Sequence, residues 1–234
     1  MANQDRKPLQ NSFTGHRGAE AQVRVKRMVS TAHRLFITRG YHQTSLDAIL
    51  KRSGGSKATL RKYFGNKAGL LGVVLNDEAR RCVARADRAV GRCAPSKRAM
   101  EEALLAFASV VLQFYCRRDS LRVYRAVIAE SAHQPDVGRR FYRGGHMSFV
   151  AALAKHLSRW QELGLLMSTD VTISAIDSAH AHTRAHADAD RFLHMLRAGP
   201  HDQALLGVLD KVSAAAIRDQ VRACVRIFCN GLVA

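Results

Sequence analysis

The sequence predicts an all-α protein in two parts: an N-terminal three-helix helix-turn-helix domain and a C-terminal helical bundle, joined by a connector helix. Apolar residues recur at three- and four-residue spacing through most of the chain, and strand-like alternation is absent. Proline occurs only at positions 8, 95, 135 and 200, and the last three lie at breaks in this periodicity. With 47% apolar residues among 234, the chain can bury a core.

The N-terminal part begins with a polar stretch followed by a helix. Residues 1–20 contain glycine and show no periodicity, so residues 1–22 are predicted to be a disordered basic arm. The first helix is predicted from about Arg24 to Arg39, because apolar residues recur there at helical spacing and Gly40 provides a stop.

Two short helices are predicted on either side of a Gly-Gly-Ser break, in the stretch TSLDAILKRSGGSKATLRKYFGNKAGLL. Thr44 or Ser45 is a suitable N-cap for the second helix of the chain, and Ser56 for the third. Gly54 and Gly55 can adopt the backbone conformation of a short turn. The spacing is typical of a helix-turn-helix, and the stretch carries six Lys and Arg against one carboxylate.

Positive charge is concentrated in the first third of the chain. The formal net charge is +18; residues 1–70 hold fourteen Lys and Arg against three Asp and Glu, and residues 71–234 hold twenty-three against sixteen. This asymmetry favours a polyanionic partner, nucleic acid before membrane, because no polybasic amphipathic helix or lipidation motif accompanies it. On charge alone, a basic surface that only aids solubility is the alternative.

The third helix is the predicted DNA-contacting element. In a helix-turn-helix the second helix of the pair enters the major groove by its N-terminal residues. The face opposite the apolar Leu60 and Phe64 carries small, hydroxylic or cationic side chains, which suit thymine methyl groups, phosphates and guanine edges. A hairpin used only for packing is the alternative, but it would seldom place so much charge there. The predicted contacts are Lys57, Ala58, Thr59, Arg61 and Lys62.

The motifs FITRGYHQTSL and SKATLRKYFGNKAGLL resemble the N-terminal DNA-binding domain of TetR-family transcriptional repressors, over about residues 24–75. The resemblance implies phosphate contacts from Thr44 and Lys67, at the starts of the second and fourth helices, and from Tyr63. Helix N-termini favour phosphate, which makes the first two roles physically sensible. The cap residues Ser45 and Ser56 complete the candidate DNA-binding set.

The sequence departs from the family pattern at four positions. Leu50 stands where the family prefers a small residue, and Gly55 replaces its usual valine. These two changes are expected to loosen or re-angle the hairpin. Ala58 replaces a glycine, and Arg61 replaces a tyrosine that commonly touches the DNA backbone, so the operator preference is expected to differ.

The C-terminal part resembles the corresponding domain of the AefR-like branch of the same family, over about residues 97–210. The stretches that carry the resemblance are LRVYRAVIAES, GRRFYRGGHMSFVAALAKHL and FLHMLRAGPHD. Periodicity predicts a central buried helix in AMEEALLAFASVVLQFYCRR, another in VGRRFYRGGHMSFVAALAKHLSRWQELG with a stop at Gly164, and a last helix over about residues 212–229.

The resemblance divides the chain into a DNA-binding domain, residues 23–71, and a ligand-binding and dimerisation domain, residues 72–234. It implies that residues 174–197 and 212–229 form a four-helix interface with the same helices of a second subunit. Small residues suit such close packing, and alanines recur at positions 179, 181, 185, 187 and 189.

The resemblance also implies a small-molecule effector in an apolar cavity among the middle helices. Helical bundles do place ligands between helices. For each candidate an ordinary core position is the alternative, because aromatic and methionine residues at helical spacing are common in cores. The candidates are Phe107, Val111, Phe114, Tyr124, Ile128, Met147, Phe149, Val150 and Trp160.

Three histidines and an aspartate form a ladder with four-residue spacing: His182, His186, Asp190 and His194. Two neighbouring members could supply metal ligands from one helix face. The alternative is a polar helix face, because the ladder drifts around the helix and a closed site needs ligands from elsewhere. The sequence therefore assigns no metal and no cofactor, and leaves open whether these four residues bind an ion.

Together these features predict a homodimeric transcriptional repressor that an unknown small-molecule effector releases from a pseudo-palindromic operator in double-stranded DNA. A nonspecific architectural DNA-binding protein without an effector is the alternative. An enzyme is not expected, because the sequence has no GxGxxG, P-loop or GxSxG motif.

The expected compartment is the cytoplasm, without a membrane partner. The sequence shows neither a secretory signal nor an apolar run of membrane-spanning length. Its five cysteines include no CxxC pair, and we expect them to be buried thiols in a reducing environment.

Overall fold

The structure, a computed structural model, describes residues 16–91, 95–166 and 184–232. Every regular element in these ranges is helical, which confirms the predicted all-α class. The chain divides into two compact units, residues 1–70 and residues 71–234. Residues 1–15 of the predicted disordered arm lie outside the described residues.

The N-terminal unit contains α1 (His16–Arg39), α2 (Leu46–Ser53), α3 (Lys57–Phe64) and the first residues of α4 (Lys67–Val90). Helix α1 starts at His16, so residues 16–22, which were predicted to belong to the disordered arm, are helical. An i, i+4 ion pair between Glu20 and Arg24, 3.6 Å apart, lies in these early turns. The unit buries an apolar core to which all three of its complete helices contribute, including Met28, Leu35, Ile49 and Leu60.

Side-chain caps begin the three helices that follow α1. Ser45 and Ser56 have extended backbone, and each hydroxyl oxygen accepts a hydrogen bond of 3.1 Å from the amide three residues later. At the start of α4, the Asn66 side-chain oxygen accepts from the Gly69 amide at 2.8 Å. These caps satisfy amides that the first turn of a helix leaves without a partner, so the break residues fix where each helix starts.

The C-terminal unit contains the rest of α4 and seven further helices within the described ranges. The helices are α5 (Lys97–Tyr115), α6 (Arg118–His133), α7 (Pro135–Phe141), α8 (Met147–Glu162), α9 (Arg184–Arg197), α10 (Pro200–Leu206) and α11 (Ala214–Leu232). No single described helix is long and apolar enough to cross a bilayer; α5 and α6 reach that length and composition only as a pair bent by 65°.

Helix α5 lies at the centre of this unit, as its broad apolar face predicted. Met100, Leu104, Phe107 and Val111 are completely buried along it. Helix α11 packs against α5 and α9, and α9 packs against α8. The apolar positions of α11, including Val221 and Phe228, are buried in this core.

The predicted long helix between Val137 and Gly164 is interrupted. A single turn of π-helix, Tyr142–His146, joins α7 to α8. At Gly144 a Cβ atom would lie 2.2–2.3 Å from the side-chain amide of Asn76, so only glycine fits this position without a shift of Asn76. π-turns are frequent at functional sites, so the residues around this one are candidates for a functional role.

Four cysteines of the described residues, Cys82, Cys116, Cys224 and Cys229, are free thiols. Burial raises the pKa of each thiol, to about 11 for Cys116 and Cys229. Cys93 lies outside the described residues. The four thiols therefore stay protonated at neutral pH.

Candidate functional site

The surface of α3 separates apolar from polar side chains. Leu60 and Phe64 are buried, at 1% and 5% exposure. The predicted groove residues Lys57, Ala58, Arg61 and Lys62 are exposed, and Thr59 is half-buried. Because the apolar face holds α3 in the unit, its small and cationic side chains are presented to solvent together.

Lys57 is held by a carboxylate on the preceding helix. Its Nζ lies 3.0 Å from Asp47 Oδ1, and both side chains are largely exposed. This ion pair joins α2 to the first residue of α3. The pair lies at the N-terminal end of α3, which is the end that enters the groove in helix-turn-helix proteins.

The cap residues Ser45 and Ser56 are both exposed. Each hydroxyl oxygen accepts an amide hydrogen bond, and the Ser56 oxygen also lies 3.0 Å from the Thr59 hydroxyl. A hydroxyl group that accepts can still donate. Ser45 therefore combines a helix N-terminus with an exposed donor, an arrangement that suits phosphate.

The Thr44 side chain is buried and hydrogen-bonded within its unit, which the sequence did not predict. Its side chain is buried at 1% exposure, and its hydroxyl donates towards the carbonyl oxygens of Gly40 and Leu35, at 2.8 and 3.3 Å. The hydroxyl proton is used inside the turn between α1 and α2. This geometry does not favour donation from the Thr44 side chain to a phosphate.

Lys67 and Tyr63 are both half-buried. The Lys67 ammonium donates to the His42 carbonyl oxygen at 3.2 Å and lies 4.3 Å from the centre of the Tyr41 ring. Lys62 Nζ lies 5.8 Å from the centre of the Tyr63 ring. Both residues thus take part in packing within the unit, and their phosphate contacts remain predictions.

The contact of Gly55 with α1 explains why a glycine stands at this position. Its φ is +113°, and a Cβ atom added there would lie 2.2 Å from the terminal methyl carbon of Met28. The family's usual valine would face both the strained backbone and this contact. Gly55 therefore allows α1 and the turn to approach closely.

An aromatic cluster occupies part of the C-terminal unit and joins α5, α6, α8 and α10. The Tyr115 ring lies 5.4 Å from Phe149 and 5.8 Å from His201, and the Tyr124 ring stacks on His201 at 5.9 Å, between ring centres. Phe114 lies 5.8 Å from Phe149. Three effector candidates, Phe114, Tyr124 and Phe149, therefore meet in one cluster.

This cluster contains polar groups in unusual surroundings. The Tyr115 hydroxyl is buried with no hydrogen-bond partner among the residues that the structure describes, and burial raises its pKa. Burial lowers the pKa of His201, which keeps its imidazole neutral. His201 Nδ1 lies 3.1 Å from Asp202 Oδ1. Arg197 donates to the Tyr124 hydroxyl at 3.4 Å. Buried polar groups without partners are exceptional in native proteins.

The other effector candidates have different surroundings. Phe107, Val111, Val150 and Trp160 are at most 2% exposed. The remaining pair are Met147, which is half-buried, and Ile128, whose side chain is 51% exposed on α6. The first four residues are buried in the core of the unit, Ile128 lies at its surface, and a role in effector binding remains a prediction for all six.

A second cluster combines two histidines and an aspartate. His146 Nε2 lies 2.5 Å from Asp190 Oδ1, and the His194 ring lies 5.0 Å from the His146 ring, centre to centre. Burial lowers the pKa of His146. Burial raises the pKa of Asp190, but the hydrogen bond from His146 and the charges of nearby groups outweigh it and lower the pKa.

Sequence reasoning missed Tyr115, His201 and His146. Tyr115 and His201 are far apart in the chain, and neither carries a motif. Helical spacing placed Tyr115 on the apolar face of α5, but it gave no indication that the hydroxyl would lack a partner. Of the predicted ladder, His182 lies outside the described residues, and His186 is half-buried on α9.

Two family models match the chain. Residues 29–74 match the model for bacterial regulatory proteins of the tetR family. Residues 102–231, more than half of the chain, match the model for the C-terminal domain of AefR-like transcriptional repressors. No curated protein matches the sequence.

Solved structures share the fold over both units. A TetR-family transcriptional regulator from Mesorhizobium loti is 22% identical with a TM-score of 0.74, covering 92% of this chain and 98% of that one. The flavonoid-responsive regulator FrrA is 25% identical with a TM-score of 0.64, covering 90% and 97%. A transcriptional regulator from Saccharomonospora viridis, in complex with choline, is 22% identical with a TM-score of 0.58, covering 92% and 99%.

The family matches agree with the capped helix-turn-helix of the N-terminal unit and the helical C-terminal unit. Members of this family are regulators and not enzymes. The chain belongs to the TetR family of DNA-binding transcriptional regulators, with an AefR-like C-terminal domain.

Proposed function

We propose that the chain is a repressor that acts as a homodimer on a pseudo-palindromic operator and is released by a small-molecule effector. The observation that carries the proposal is the exposed set of small and cationic side chains on α3, held by the buried Leu60 and Phe64. Such residue types suit base edges and phosphates in the major groove. Bound over a promoter, the dimer would block transcription.

The homodimer follows from how helix-turn-helix proteins gain affinity. Two copies of α3 separated by about 34–36 Å would contact two successive major grooves, so the operator would have matching half-sites. Symmetric dimers are the commonest assemblies of soluble proteins. Since most predicted apolar positions of α11 are buried in its own unit, the interface would use its outer face, where Ile227 is 59% exposed.

The effector would bind in the C-terminal unit at the aromatic cluster. We infer a molecule with an aromatic or otherwise apolar body and at least one hydrogen-bonding group, because Tyr115 offers a buried hydroxyl and aromatic rings surround it. FrrA is flavonoid-responsive and the Saccharomonospora viridis regulator binds choline, which supports a small-molecule effector here. Release requires that the effector bind the DNA-incompetent state better than the DNA-bound state.

A nonspecific architectural protein is the second candidate, favoured by the net charge of +18. The two functions differ in sequence preference. A specific repressor prefers its operator over random DNA by about 10³-fold or more at physiological salt, whereas a coating protein shows little preference.

The test is selection of bound DNA from a random duplex pool at near-physiological salt. Wild-type protein is compared with Lys57→Ala combined with Arg61→Ala. A charge-matched control combines Lys155→Ala with Arg98→Ala, which removes one lysine and one arginine from exposed positions of the C-terminal unit. We expect a pseudo-palindrome from the wild type and the control, and no enrichment by the α3 variant.

Two outcomes would contradict the proposal. If the wild type recovers no preferred sequence, the architectural function replaces the repressor. If the α3 variant selects the same sequence with the same affinity as the control, then Lys57 and Arg61 do not contact the bases, because each good base contact is worth about 1–3 kcal/mol.

A further inference from the structure

We propose that His146, Asp190 and His194 form a binding site for a divalent transition-metal ion in the C-terminal unit. One ligand atom from each residue, a ring nitrogen or a carboxylate oxygen, lies within 4.8 Å of the other two. The three residues come from two segments, the π-turn before α8 and residues 190–194 of α9. The proposal is independent of DNA binding and of the effector.

The sequence ladder alone could not close such a site. Asp190 and His194 are one turn apart on α9 and present neighbouring groups, and the ladder needed a further ligand from elsewhere. The packing of α9 against the π-turn and α8 supplies His146, 44 positions before Asp190. The extra residue of the π-turn shifts side-chain directions relative to a regular helix.

The three side chains are held at different depths. His146 is 5% exposed, and its Nε2 atom faces Asp190 Oδ1. His194 Nδ1 lies 2.8 Å from the backbone carbonyl oxygen of Asp190, and this contact holds the second ring beside the carboxylate. The site thus has one deep ligand and one that faces solvent, with the carboxylate between them.

The ligand set selects a class of ion. Two imidazoles and one carboxylate suit zinc and the neighbouring first-row ions, which accept three protein ligands and keep a further position for water. Calcium and magnesium prefer mostly oxygen ligands, and this cluster offers a single carboxylate.

Binding requires a small local movement. Ligand atoms around a tetrahedral zinc ion at about 2.0–2.2 Å stand roughly 3.3–3.5 Å from one another. His146 Nε2 and Asp190 Oδ1, which are 2.5 Å apart, must separate. Ligand atoms that are farther apart, by up to 4.8 Å, must approach each other. The side chains of Asp190 and His194 are 35% and 51% exposed, so both have room to adjust.

The test uses the full-length chain without an affinity tag, stripped of metal by a chelator. Zinc binding is measured by titration calorimetry, and Co²⁺ is added separately because its visible absorption reports nitrogen and oxygen coordination. The wild type is expected to bind one ion per chain. His194→Ala and Asp190→Asn are expected to weaken binding at least about tenfold, since even indirect partners of a metal contribute that much.

Controls separate this site from other histidines. His133→Ala removes an exposed histidine at the end of α6, and His186→Ala and His182→Ala remove the other ladder members. All three are expected to bind like the wild type. His146→Gln, which keeps a hydrogen-bond donor for Asp190, is expected to lose binding while retaining the wild-type circular dichroism spectrum.

Several results would overturn the proposal. These are a wild-type chain that binds no stoichiometric zinc or cobalt, a His194→Ala variant with unchanged affinity, and loss of binding in His182→Ala or His186→Ala. The last result would assign any bound ion to a site that uses His182 or His186. Because His194 is exposed, its variant folds, so a failure to fold at His146 leaves the test intact.

Discussion

The two units treat their buried polar groups differently. In residues 16–70 the buried hydroxyls of Thr44 and Ser53 donate to carbonyl oxygens within a few residues, and no described side chain there has a buried polar atom without a partner. In the C-terminal unit the Tyr115 hydroxyl and the Asn76 side-chain oxygen are buried without partners among the described residues. The described buried polar groups of the first unit are therefore hydrogen-bonded within it, whereas the second unit has buried polar groups that a ligand could bind.

This difference has an energetic meaning. A buried polar atom without a partner costs about 1–3 kcal/mol of stability. The C-terminal unit carries that cost at several positions, and the N-terminal unit uses its local hydrogen bonds to hold a fixed surface. We therefore expect substitutions in the N-terminal unit to cost stability, and some in the C-terminal unit to increase it.

The largest expected loss of stability comes from shortening a buried leucine in the core of either unit. Leu60→Ala and Leu104→Ala each remove a side chain that is at most 1% exposed, so each should lower the free energy of unfolding by about 2–5 kcal/mol. The single tryptophan, Trp160, is buried in the C-terminal unit, and its fluorescence reports unfolding there. Leu104→Ala should shift the fluorescence transition, and Leu60→Ala should shift mainly the circular dichroism signal and abolish DNA binding.

If both variants shift both signals equally, the two units unfold as one, and they do not have separate stabilities. A conservative Leu60→Met variant provides the control, because similar volume costs less than about 1.5 kcal/mol.

Gly55→Ala should destabilise the N-terminal unit by about 1–3 kcal/mol, because its φ of +113° strains any side chain and the new Cβ atom meets Met28. Gly54→Ala is the matched control, since its φ is +73° and no atom lies within 4 Å of the added Cβ. Chemical denaturation followed by circular dichroism measures both. Equal losses would show that Met28 moves aside freely and that backbone strain alone explains the glycine.

Tyr115→Phe should leave stability unchanged or raise it by up to about 1 kcal/mol, because it removes a buried hydroxyl that has no partner among the described residues. The same change should weaken the response to an effector that uses this hydroxyl. Tyr142→Phe is the control, since that side chain is 48% exposed. A clear loss of stability in Tyr115→Phe would mean that the hydroxyl has a partner in the folded protein.

The smallest expected effect is at the exposed ion pair between Asp47 and Lys57. Asp47→Asn removes a negative charge near the predicted DNA-contacting face of α3 and releases the Lys57 ammonium group for phosphate or guanine. DNA affinity should rise by less than about fivefold, as exposed pairs are weak. Fluorescence anisotropy at two salt concentrations measures the change. A fall in affinity would indicate that Asp47 positions Lys57 for contact.

Much of the N-terminal unit could be predicted from the sequence because its determinants are local. Ser45 and Ser56 act as caps within one turn, and Leu60 and Phe64 share a face through helical spacing alone. Thr44 differs, because its hydroxyl bonds to carbonyl groups of α1 and the adjoining turn, and the pattern of a helix start gave no sign of this.

The clusters of the C-terminal unit could not be predicted for the same physical reason. His146 meets Asp190, and Tyr115 meets His201, through helix packing between distant segments. Periodicity identifies which face of a helix is buried but not which helix covers it. The π-turn adds a second difficulty, since an extra residue in a helix changes the face on which every later side chain lies.

The four thiols of the described residues have a practical consequence for measuring the proposed repressor. Three are buried and Cys116 is half-buried, and burial raises the pKa of each. We therefore expect them to react slowly with thiol-directed labels, which leaves a low labelling background once Cys93 is replaced. A cysteine introduced at the exposed Arg52 would then carry a spin label beside α3, the predicted DNA-contacting helix. In a dimer, two such labels form a molecular ruler, and its length with and without an effector would report the allosteric movement directly.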